Sequence, residues 1–145
     1  MGYDVTLYPC GFNTPLDKET FQERYRKCLE DLDMNDGGVE EDDFYFDFTP
    51  SKFSHVEVNG NCRGRENKDN FLAKFISRVI AIGSYAMLEL KGEDDYMWGH
   101  LIFHTTVFEA SVGKYNIYPI DYEIVKTVGG QLVDTVIQRR SIPGV

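Results

Sequence analysis

The chain has 145 residues, 42% of them hydrophobic and 14% aromatic, which suits one well-packed domain and is too short for two ordinary ones. Its formal charge of −9 argues against direct nucleic-acid binding, because duplex contacts depend on Lys and Arg neutralising phosphates. No apolar run reaches the roughly 18–20 residues of a membrane span, and the start MGYDVTLYPCG lacks the basic-then-apolar order of a signal peptide, so a soluble, cytoplasmic protein without membrane contact is expected.

In chain order, the alternation YDVTLY predicts a strand over 3–8, closed by Pro9 and Gly11. Thr14, Pro15 and Asp17 read as an N-cap, a first helical position and an acid in the first turn. The helix that follows carries Phe21, Tyr25, Cys28, Leu29 and Leu32 on one face, and Asn35, Gly37 and Gly38 are expected to end it. Aromatic residues at 44–48 predict a strand stopped by Pro50, and 53–58 predicts another, ending at Asn59-Gly60. The loop 59–70 holds Arg63, Arg65 and Lys68 and is the most basic stretch, suited to the surface or to pairing with acids elsewhere.

A second helix is predicted over 69–81, its broad apolar face built from Phe71, Leu72, Phe75, Ile76, Val79 and Ile80. Strands are then expected at 85–90, 97–108 and 115–125, with a hairpin at Gly129-Gly130 returning through 131–139. Two helices segregated on one face of an antiparallel sheet, with a C-terminal meander, define an α+β domain spanning the chain.

The charge is local. Between Glu30 and Asp47 nine acids (Glu30, Asp31, Asp33, Asp36, Glu40, Glu41, Asp42, Asp43 and Asp47) occur without Lys or Arg, and elsewhere acids and bases cancel. Such a patch binds a cation, faces a basic partner, or stays hydrated. The leading expectation is a non-enzymatic binding module, an inhibitor or immunity-type antagonist, that meets another protein's basic surface, such as a nucleic-acid-binding groove. Asp31, Asp33, Asp36, Glu40, Glu41, Asp42, Asp43 and Tyr45 are its candidate contacts. Charge would speed encounter, and the aromatics Phe44, Tyr45 and Phe46 would supply an anchor.

The alternative is calcium. Asp31-Leu32-Asp33-Met34-Asn35-Asp36-Gly37 resembles the first half of the EF-hand calcium loop, where oxygens at alternate positions converge on a hard cation. The resemblance implies Asp31, Asp33 and Asn35 as ligands, with Asp42 as the closing carboxylate. The chain departs from that loop in having Asp36 where the pattern has Gly, Asp42 where it has Glu, and a predicted strand where it continues into a helix.

Other chemistry-bearing residues are sparse. His100 and His104, on one predicted strand, would lie about 13 Å apart and cannot share a metal, and His55 is isolated. Cys10, Cys28 and Cys62 match no zinc or redox spacing and read as reduced thiols. Trp98 reads as core rather than binding rim. No catalytic motif appears, and a third reading, an enzyme built from carboxylates such as Glu89 with Glu93 or Asp121 with Glu123, has no spacing to select it. A monomer or a homodimer formed through an exposed edge strand fits equally.

Overall fold

The computed structural model describes residues 5–49, 54–60, 68–94, 97–112 and 117–119. They form two helices and two antiparallel sheets, the α+β arrangement expected, with the strands divided between sheets. In chain order the elements are β1 (Val5–Leu7), β2 (Cys10–Thr14), α1 (Lys18–Glu30), β3 (Phe44–Thr49), β4 (Ser54–Gly60), α2 (Lys68–Val79), β5 (Ala86–Gly92), β6 (Met97–Phe103), β7 (Thr106–Val112) and β8 (Ile117–Pro119). One sheet runs β1-β5-β6-β7-β8 and the other β2-β4-β3. The Gly129-Gly130 hairpin, Cys62, Arg63, Arg65, Asp121 and Glu123 lie outside the described residues.

The division between sheets happens at Pro9. Tyr8 donates its N–H to Glu89 as the last bond of β1's edge, Pro9 has no N–H to continue, and the chain crosses to pair β2 with β4. Cys10, Phe12 and Thr14 then point inward and Gly11 and Asn13 outward. Thr14 is therefore a buried strand residue, not the helix cap. Its hydroxyl donates to the carbonyl of Val79 (2.6 Å) and accepts from Leu16, tying the start of α1 to the end of α2. The cap is Asp17, whose carboxylate accepts the N–H of Thr20 at 2.7 Å.

Helix α1 buries Phe21, Tyr25 and Cys28 and stops at Glu30, well before Asn35. Asp31 ends it, because its carboxylate captures the N–H groups of Asp33 and Met34 and offers the backbone an alternative to another helical turn. Leu32 consequently leaves the apolar stripe and is 83% exposed. Phe21 centres an aromatic cluster, with ring centroids 5.0 Å from Phe46, 4.9 Å from Phe48 and 5.2 Å from Phe75. Such edge-to-face pairs add about 0.5–1.5 kcal/mol each beyond area burial. The same core takes Val56 and Val58 from the smaller sheet, Leu72, Phe75 and Ile76 from α2, and Leu88, Leu90 and Ile102 from the larger one.

At the start of α2, buried Asp69 accepts the indole N–H of Trp98 (3.1 Å) and lies 2.9 Å from Nε2 of buried His100, locking the helix to β6. Trp98 packs against the core. The stretch expected as one strand over 97–108 is a hairpin: Phe103 pairs with Thr106 across His104 and Thr105. His104 thus sits in a turn, off the strand that carries His100. The turn is held from outside, by Thr105 donating its N–H to the carbonyl of Ser77 on α2 (2.9 Å). In the smaller sheet Gly60 faces Phe44, and a Cβ there would strike the Asp43 carbonyl and the Phe44 ring, so the close β3–β4 approach requires glycine.

Candidate functional site: an acidic groove beside an edge strand

The acidic segment folds into parts with different fates. Its first part, 31–39, is a loop pinned inward by Met34 and Val39, both buried. Asn35 staples it: the side-chain amide donates to the carbonyls of Leu29 and Val39 (2.9 Å each), and its oxygen accepts the N–H of Val39 at 2.8 Å. Asp31 serves the helix end, while Asp33 and Asp36 are exposed. Among the described residues, no group of three or more His, Cys, Asp or Glu side chains is placed to hold a metal ion.

Glu40 opens a short 3-10 turn over Glu41–Asp43 and donates its backbone N–H to the Asp43 carboxylate at 2.8 Å. The same carboxylate meets Lys68 Nζ at 3.0 Å, with both side chains mostly buried. Asp43 is therefore a fastener between the segment and α2. Lys68, expected in a basic loop, is instead the first residue of α2 and pairs there with Asp43.

The remaining acids converge. Glu40, Glu41 and Asp42, with Asp47 of β3, line a groove of about 660 Å³. Phe44, Tyr45 and Phe46 of β3 and Gln22 and Tyr25 of α1 complete its lining. Tyr45 is 61% exposed. Glu41 meets Arg26 at 3.4 Å, an exposed pair of small energetic weight. Among the described residues no cation lies within ion-pair reach of Glu40, Asp42 or Asp47. Asp47 stands directly across from Glu57 of β4, and like charges so placed oppose each other. The Tyr25 phenol is pushed up by its burial and then by the nearby charges of Asp43, Glu41 and Asp42, and it donates weakly to the Glu41 carbonyl at 3.4 Å.

Of the expected contacts, Glu40, Glu41, Asp42 and Tyr45 are brought together; Asp31, Asp33 and Asp36 belong to the preceding loop, and Asp43 faces α2. Sequence reasoning left out Asp47, Gln22 and Tyr25. Asp47 was within reach of it, since two residues along a strand share a face with Tyr45. Gln22 and Tyr25 were not, because nothing local says which strand α1 packs against.

A second cleft, of about 550 Å³, lies where β2 meets β5, lined by Cys10, Gly11, Asn13, His55, Tyr85 and Glu89 among others. His55 lies 3.1 Å from Asn13 Oδ1 and 2.8 Å from Glu57 Oε1 at its rim. The Cys10 thiol there is pushed up to about 12, first by burial and then by Glu57 and Glu89, so it is no nucleophile at neutral pH.

Comparison of the chain with protein-family models, curated proteins and solved structures returned no match. Among the described residues, no helix is long and apolar enough to cross a membrane.

Proposed function

We propose that this protein is a binding module that engages a basic surface of another protein through the groove of Glu40, Glu41, Asp42, Tyr45 and Asp47, acting as an inhibitor or immunity-type antagonist. One observation carries the reading: three carboxylates with no cation among the described residues surround an exposed tyrosine in a preformed groove. Long-range attraction from the carboxylates raises the encounter rate, and desolvating Tyr45 against the partner supplies an anchor. The calcium reading draws no comparable support, since the Asn35 oxygen already accepts a backbone N–H and its amide bridges two carbonyls.

The test is binding to a panel of basic proteins that carry nucleic-acid-binding grooves, with polylysine as the control for non-selective attraction. In the variant combining E40Q, E41Q, D42N and D47N, affinity for a bound partner should fall about tenfold at low salt and less at high salt, since rim charges contribute about 0.2–1 kcal/mol each. A control combining D33N and D36N should bind as the parent does. Unchanged affinity in the groove variant, or an equal loss in the control, overturns the proposal. D47N alone adds a check of sign: relieving the Asp47–Glu57 opposition should raise stability by a few tenths of a kcal/mol while weakening binding.

A further inference from the structure

Among the described residues the smaller sheet has the order β2-β4-β3, so within them β3 has a neighbour on one side only. Among the described residues no hydrogen bond reaches the outer edge of β3, and alternate residues of Phe44–Thr49 direct N–H and C=O groups away from β4. The groove takes lining residues from both faces of this strand, Tyr45 and Asp47 from the outer and Phe44 and Phe46 from the inner. It takes none from β4. A groove that touches both faces of one strand and nothing of its paired neighbour runs along the strand's edge away from β4. Gln22 and Tyr25 of α1 also line it.

From this we infer that β3 is a strand-addition site: an extended, basic segment of the partner pairs with its free edge and extends the sheet beneath α1. The inference rests on the basic-partner reading of the same groove and specifies how that partner is held. The six residues of β3 span about 20 Å, enough for a partner strand of similar length. Backbone pairing supplies the affinity, and side chains at alternate positions supply the choice of partner. One alternate set lies beside Tyr45, Asp47 and Asp42, where Lys or Arg finds carboxylates with no cation among the described residues and an exposed aromatic face. The other set points toward Gln22, Tyr25 and Phe46, where small or branched apolar residues fit.

Charge also decides against the simplest competitor. A second copy of this chain added at β3 would bring one acidic edge against another, which carboxylates on edge strands ordinarily prevent. A basic strand turns that repulsion into attraction.

The experiment uses the whole chain and a capped octapeptide of alternating Arg and Val, with two analogues N-methylated either at every Arg or at every Val. All three carry the same charge. In a strand the N–H groups of the two alternate sets point to opposite edges, so strand addition predicts asymmetry. One analogue should lose about tenfold or more in affinity through its lost backbone bonds, and the other should bind nearly as the parent peptide does. Bound peptide should also slow amide hydrogen exchange within Phe44–Thr49. If both analogues bind like the parent and E40Q/E41Q/D42N/D47N weakens all three, strand addition is overturned while the basic-partner reading stands. If no peptide binds although basic proteins do, the edge is likewise not the docking element. A homodimer that the peptide dissociates assigns the edge to a second copy and also overturns the inference.

Discussion

Asn35 and Asp47 show how the surroundings of a side chain settle its role. Asn35 offers an oxygen suited to a hard cation, yet that oxygen and both amide hydrogens are directed at backbone groups of its own loop and of the last turn of α1. Asn35→Asp separates the two roles. A calcium ligand tolerates the change and gains charge, whereas a staple loses both donors and sets a carboxylate against two carbonyls. The expected outcome is a loss of about 2–3 kcal/mol in urea unfolding, unrelieved by millimolar calcium. A destabilised variant rescued by calcium would instead assign Asn35 to a metal site. Asp47 is the converse case. Its position across from Glu57 makes it a small liability to the fold, and an incoming cation would remove that liability.

At the scale of the element, boundaries depend on partners more than on local preference. The β6–β7 hairpin turns through His104 and Thr105, neither of them a residue that marks turns, and Thr105 holds a positive φ of 62°. A β-branched residue in that region costs about 1–2 kcal/mol, which the bond to Ser77 and the two strand ladders outweigh. Thr105→Asn keeps the backbone donor and suits the conformation, so it should stabilise the protein by about 0.5–1 kcal/mol in chemical denaturation. No gain would mean that the turn carries little strain. The strand β3 was legible as a strand from its aromatic alternation. That β3 pairs with β4 alone among the described residues, and that α1 packs on its buried face, follows only from the order β2-β4-β3 and the packing of Phe21 and Tyr25 on Phe46.

For the molecule as a whole, burial of the Cys10 thiol and the Tyr25 phenol contributes stability that alkaline pH removes. The Cys10 thiol is raised from 9.0 to about 12 by burial and then by Glu57 and Glu89. The Tyr25 phenol is raised above 10.0 by burial and then by Asp43, Glu41 and Asp42. Both stay protonated in the fold after the unfolded chain has begun to lose the same protons. The unfolded state then binds fewer protons, so this stabilisation is complete below pH 9.0 and is lost as pH rises toward about 12. Stepwise urea unfolding across that window should show the decline, and a shallower one for Tyr25→Phe. A flat profile would mean that neither group is sequestered.

By itself the sequence determined the α+β class, the two helices with most of their buried faces, the aromatic strand at 44–48 and the confinement of net charge to 30–47, because periodicity and composition are local properties. Tertiary structure decided the rest. The split into two sheets at Pro9 depends on which strand accepts the chain after its last bond to Glu89. The sorting of six of the nine acids into a helix stop at Asp31, a fastener at Asp43 and a groove at Glu40, Glu41, Asp42 and Asp47 depends on where Lys68 and α1 arrive. Charge can be counted along a chain, but whether a carboxylate is paired, buried or open to a partner depends on residues distant in sequence.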